Sequence, residues 1–120
     1  MQYLLMIYAE ESGWTKMSKA EQEKGAAAYM AYTEALKQAG VWKGSNRLQP
    51  VTTATTVKNG ANGKAQVLDG PFADTKEQLG GYYLIEVADM DAALSWASRC
   101  PAVGHGAVEV RPVWSMGPAA

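Results

Sequence analysis

Asp69, Asp74, Lys76 and Glu77 fall within nine consecutive positions, with the turn formers Gly70 and Pro71 and the apolar Phe72 among them. Carboxylates and an ammonium gathered this closely suit acid–base work, in which one group takes a proton from a small polar molecule and another polarises it. Two readings of Asp69 stand: a catalytic carboxylate with His105 or Lys76 as its partner, or a turn residue accepting from the amides of Phe72 or Ala73. His105, the only histidine, lies between Gly104 and Gly106. That flexible setting suits close approach to a ligand and equally suits a plain turn into a strand. Lys76 and Glu77 are either a solvated pair or ligand contacts at the mouth of the strand beginning at Gly80.

Glu86, Glu109 and Arg111 belong to strand-like segments whose alternation can turn them toward a second subunit, where a lone charge is costly and pairing is expected. A Glu–Arg pair there is either an internal salt bridge or a means of orienting an anionic ligand. Tyr8, Tyr82 and Tyr83 read mainly as packing residues. Cys100, just before Pro101, reads as a small buried apolar residue because no base adjoins it. Gly80-Gly81 matches neither dinucleotide-binding nor P-loop spacing, and a strand follows, so close backbone packing is expected. No zinc, flavin, haem or nucleotide signature is present, and neither a metal nor a cofactor is expected.

These side chains must be positioned by a chain of 120 residues, 48% hydrophobic, enough for one modest core. A single domain over residues 1–116 is expected, with a flexible small-residue tail at 117–120. A net charge of −1 and a pI near 5.8 give no footprint for nucleic acid or an anionic membrane. One cysteine makes no internal disulfide, so a reducing cytoplasm fits. The apolar opening Met1–Tyr8 lacks a basic leader and stops at Glu10-Glu11, which argues against a signal peptide or membrane span.

Residues 2–9 are large and apolar on both alternating sets, which predicts a strand buried on both faces. Helices of a chain this small cover only one face of an open sheet, so a second subunit is expected on the other. Ser18-Lys19-Ala20-Glu21 has capping-box form and predicts a helix over roughly residues 19–39, closed by Gly40. A short strand over Val41–Gln49 follows, then Pro50. The β-branched run Val51–Val57, the turn Asn59–Gly63 and Lys64–Leu68 predict a hairpin at a sheet edge. Gly80–Val87 reads as a strand, Asp89 as the cap of a second helix stopped by Pro101, and Ala107–Trp114 as the last strand. This order predicts an α+β fold, a ferredoxin-like core with an inserted β-hairpin. Its first strand is central and antiparallel to the last two, bringing Tyr8, Glu10, the Asp69–Glu77 loop and His105 to one end of the sheet.

Tyr3-Leu4-Leu5-Met6-Ile7-Tyr8, Asp69-Gly70-Pro71-Phe72, Lys76-Glu77-Gln78-Leu79-Gly80-Gly81-Tyr82-Tyr83, Trp96-Ala97 with Cys100-Pro101, and Gly106-Ala107-Val108-Glu109-Val110-Arg111-Pro112 together resemble the DGPF branch of the YCII-related family over nearly the whole chain. The resemblance implies a homodimer, a dimeric α+β barrel with two ferredoxin-like sheets face to face. It also implies a histidine–aspartate pair in a dimer-associated cleft, and one relative is associated with dehalogenating a ring-cleavage product. Asp69 matches the aspartate, but the first helix holds no histidine, so that half of the pair does not carry over. Asp69 and His105 are therefore the catalytic candidates, and Glu10, Phe72, Lys76, Glu77 and Arg111 the ligand-binding candidates. A small polar or anionic metabolite is the expected ligand of a possible acid–base enzyme. A non-catalytic regulatory module is the alternative, since the branch is associated by gene neighbourhood with extracytoplasmic-function sigma factors.

Overall fold

The computed structural model describes residues 1–115. The expected tail at 117–120 lies outside them. In chain order the elements are β1 (Gln2–Ala9), α1 (Glu11–Thr15), α2 (Lys19–Gln38), β2 (Trp42–Arg47), β3 (Thr55–Asn59), β4 (Ala65–Asp69), β5 (Gln78–Glu86), α3 (Met90–Ser98) and β6 (Ala107–Pro112). Strands β2, β5, β1 and β6 form one sheet in that order, and β1 is antiparallel to both β5 and β6. The central placement of β1 follows the ferredoxin-like expectation. No helix of the described residues is long and apolar enough to cross a membrane.

Helix α2 starts where its sequence asks it to. Ser18 Oγ accepts from the Glu21 amide and Glu21 Oε1 accepts from the Ser18 amide, each at 3.1 Å, satisfying two donors the first turn leaves unpaired. Those hydrogen bonds hold the Glu21 carboxyl below its usual value. Past the last turn, Gly40 takes a left-handed conformation at φ +74° and turns the chain toward β2. Asp89 caps α3 by accepting from the Ala92 amide at 2.9 Å.

The helices pack on the sheet face formed by Tyr3, Leu5 and Ile7 of β1 and Tyr83 and Ile85 of β5, with Tyr32 and Leu36 of α2 and Ala93 and Ala97 of α3 opposite. The tyrosine hydroxyls in this core are satisfied: Tyr32 donates to the Trp96 carbonyl at 2.7 Å, and Tyr83 and Thr33 share a 2.7 Å hydrogen bond. Tyr32 meets Tyr83 edge to face, with ring centroids 5.2 Å apart. Burial pushes the hydroxyls of Tyr29, Tyr32 and Tyr83 upward, Tyr29 to about 12. It also raises the thiol of Cys100, which is packed into the same core as a small apolar residue.

The first strand shows the one-sided cover expected of this chain's own helices. Within the protomer only its Tyr3, Leu5 and Ile7 face is buried, while Leu4, Met6 and Tyr8 stay half-exposed. The hairpin departs from expectation: β3 and β4 form a separate two-stranded sheet rather than an edge of the main one. Val51–Thr53, expected as strand, is a 3₁₀ turn in which the Thr53 amide and hydroxyl both bond back to the Pro50 carbonyl, at 2.9 and 2.7 Å. Local hydroxyl bonding after a proline outcompetes the β propensity of the run. The short helix α1 was not expected; it is held by tertiary contacts at its start rather than by periodicity.

Candidate functional site

The register places the end of β1 against the starts of both neighbours: Ala9 lies opposite Gln78, and Tyr8 opposite Leu79 and Ala107. That pairing brings the starts of β5 and β6 to the end of β1 beside Glu10, whereas Asp69 ends the separate hairpin opposite Thr55. The loop's direct link to this end is an ion pair from Lys76 Nζ to Glu10 Oε1 at 3.5 Å, with side chains 80% and 46% exposed. Lys76 and Glu10 thus meet each other in a solvent-screened contact between the loop and the residue following β1.

Two points fix the loop. The Gln78 side chain accepts from the Glu11 amide through Oε1 and donates to the Thr75 carbonyl through Nε2, each at 3.0 Å. Gly70, at φ +95°, donates its amide to the Ala54 carbonyl and accepts from the Thr56 hydroxyl, both at 2.8 Å. The left-handed conformation makes glycine the fitting residue there. The turn is thus held through Gly70, and the Thr75 hydroxyl donates to the Glu77 carbonyl. Asp69, at the end of β4 opposite Thr55, is exposed, Glu77 is half-buried, and Phe72 is 81% exposed.

Helix α1 acts as the buckle of this region. The Glu11 carboxylate accepts from the Val51 amide through both oxygens, at 2.9 and 3.4 Å, binding the root of the hairpin to the end of β1. Trp14 carries the Arg47 guanidinium over its ring at 4.8 Å, and its carbonyl accepts from Gln22 at 2.8 Å. Glu11, Trp14, Arg47 and Gln78 were not singled out from sequence. Glu11 was legible only as the acidic stop after an apolar run, and nothing local announces its 40-residue reach to Val51.

His105 sits in the turn before β6, exposed, with its amide donating to the Ala102 carbonyl at 3.1 Å. The two glycines beside it differ. Open space surrounds Gly104, whereas a side chain at Gly106 would strike the Tyr8 carbonyl and crowd Ala9. Gly106 therefore serves the approach of β6 to β1. His105 and the loop lie on opposite sides of β1, whose neighbours are roughly 10 Å apart, and no hydrogen bond joins His105 to Asp69 among the described residues.

Arg111 belongs elsewhere. It lies opposite Leu4, toward the middle of the sheet face away from the helices, and pairs with Glu109 at 2.6 Å. That face also carries Met6, Leu84 and Tyr82, whose hydroxyl accepts from Asn46 at 2.8 Å, and at its margin Lys43 pairs with Glu86 at 3.6 Å. The pairing expected of Glu109, Arg111 and Glu86 is present. Asn46 was missed, though strand alternation puts it opposite Tyr82. Gly81 accounts for the double glycine: a Cβ there would lie 2.8 Å from the Asn46 carbonyl, so β2 approaches β5 closely.

In solved structures this architecture is similar to 5-chloro-2-hydroxyhydroquinone dehydrochlorinase from Burkholderia phenoliruptrix in complex with 2,5-dihydroxybenzoquinone. The TM-score is 0.56 with 19% identity, over 98% of this chain and 96% of that one. The likeness is one of fold, α+β with a ferredoxin-like core as in the protomers of dimeric α+β barrels. In sequence, an uncharacterised protein of Rhizobium meliloti is 39% identical over 115 residues, covering 94% of this chain and 92% of the relative. The model of the YCII-related domain matches residues 1–117. By that match and the near full-length relative, the chain belongs to the YCII-related family.

Proposed function

We propose that the protein is a homodimer that binds a small polar or anionic metabolite beside the Asp69–Glu77 loop. Asp69 takes a proton from the ligand and His105 returns one, with Phe72, Lys76, Glu77 and Glu10 around the ligand and Arg111 on the neighbouring face. One observation carries the reading. The loop is anchored through Gln78 and Gly70, while the carboxylate of Asp69 and the ring of Phe72 remain exposed. The fold supports it, since a dehydrochlorinase sharing that fold holds a small oxygenated ring.

Surface area supports the dimer. A monomer of 12.9 kDa exposes about 6,300 Å², whereas this chain exposes 8434 Å². The excess, about 2,100 Å², is of the size that one partner contributes to a large homodimer interface. Thermal-shift measurements with 2,5-dihydroxybenzoquinone and small hydroxy acids, on the wild type and Asp69→Asn, test the site. A shift of the wild type that disappears in a folded Asp69→Asn supports it, and an equal shift in both sinks the role of Asp69.

The second reading, a regulatory module that docks a protein such as an extracytoplasmic-function sigma factor, draws on a different surface. Met30 and Leu94 are 73% and 48% exposed on the helices. A shallow groove of about 360 Å³ runs between Ala28, Ala31 and Ala35 and the Arg99–Pro101 turn. Capture of such a factor that survives Asp69→Ala would favour this reading.

A further inference from the structure

The β3–β4 hairpin is exposed along nearly its whole length, with only Thr56 half-buried among its strand residues. Val57 and Val67 are cross-strand partners on one of its faces, and each is 64% exposed. A lone two-stranded hairpin is marginal in water, and paired valines lying bare on it are apolar surface without a partner. The protein's dimensions show that its own fold does not supply one. The radius of gyration is 16.7 Å, against about 14 Å for a compact chain of this length, and the extents are 50 × 48 × 18 Å. Eighteen ångströms is the thickness of one sheet and one helix layer, so the arm folds back over neither face of its own body.

The arm also springs from the candidate site. Its second strand ends at Asp69, the loop carrying exposed Phe72 follows, and Lys76 meets Glu10. Whatever covers the arm therefore walls the site. We infer that the hairpin is a clamp that packs its Val57–Val67 face and Phe72 on a second copy of this chain, so that each site at the sheet end is completed by the partner subunit. The occupant is a second copy because the surplus surface is of homodimer size, and because the half-exposed Leu4, Met6, Tyr82 and Leu84 face of the sheet needs the same partner. The inference rests on the homodimer proposed above and adds to it the element that holds it together.

Hydrogen exchange and sedimentation equilibrium over a dilution series, on the full chain, test it. Exchange at residues 55–77 should slow by on the order of a hundredfold as the dimer fills, while β1 and β5 core amides are protected throughout. Val57→Thr with Val67→Thr keeps β propensity and removes apolar surface, so the hairpin is not simply broken. This variant should weaken dimerisation at least about tenfold with an unchanged core. A wild-type dimer whose hairpin amides exchange like free peptide overturns the clamp and leaves the homodimer standing, as does a double-threonine variant that dimerises like the wild type. Hairpin protection that persists in dilute monomer also overturns it. A wild type monomeric at all concentrations overturns the homodimer itself and the clamp with it.

Discussion

Ile85 and Leu84 are neighbours on β5, yet they live in different environments. Ile85 is sealed beneath α2 and α3, while Leu84, one residue earlier, lies half-exposed opposite Leu4. The same contrast divides every central strand into a finished side and an unfinished one. It teaches that the helices of this chain complete one layer only, and that the apolar surface on the open face and along the hairpin is left uncovered within the chain itself.

The pair makes the sharpest way to break that comparison. Ile85→Ala removes buried methylenes from a packed site and should cost about 2–5 kcal/mol in urea unfolding, by the same amount at every protein concentration. Leu84→Ala should cost about 1 kcal/mol in dilute protein, and more at high concentration where the proposed dimer would bury it. Equal, concentration-independent losses at both positions would show that the open face is not an interface.

A smaller effect follows from the tyrosines on the finished side. Burial raises Tyr29 to about 12, and Tyr32 and Tyr83 move in the same direction. An unfolded tyrosine ionises near 10. Between that value and the folded one, the unfolded chain has released protons that the native chain still holds, so stability falls as pH rises. The contribution is whole below about pH 10 and is lost through the window up to about 12. Urea midpoints should be unaffected by these groups from pH 7 to 9 and drop steeply beyond 10, and Tyr29→Phe should flatten the slope. A slope identical in the variant would mean that Tyr29 is not the group responsible.

How far the sequence reveals all this depends on the range of the interactions. The capping box at Ser18–Glu21, the Asp89 cap and the alternation of β6 are local, and each appears where its residues indicate. The meeting of the ends of β1, β5 and β6 was legible because β1's central position follows from the order of elements. The clamp of Glu11 on Val51, the bond from Gln78 to the Glu11 amide and the detachment of the hairpin from the main sheet were not, because each depends on where distant segments come to rest. Gly106 shows the intermediate case. Its sequence position beside His105 marked a special backbone, but only the approach of β6 to Tyr8 shows that packing requires it.

The smallest expected effect distinguishes the anchoring of the loop from its chemistry. Lys76 and Glu10 meet at 3.5 Å in an exposed setting, where solvent and salt screen the attraction, so Lys76→Met should lower stability by less than about 1 kcal/mol. Adding about 0.5 M salt should take most of that small contribution from the wild type and change the variant little, because screening removes what the variant already lacks. The core around Ile85 carries no charge and should be indifferent to both changes. Exchange at the Thr75–Gln78 amides is the more sensitive reading, since a loop released from β1 opens locally without unfolding the sheet. Faster exchange there, with the β1 and β5 amides unmoved, would place the ion pair's effect in the loop. A stability loss of several kcal/mol would instead mean that the finished and unfinished sides are coupled through the end of β1.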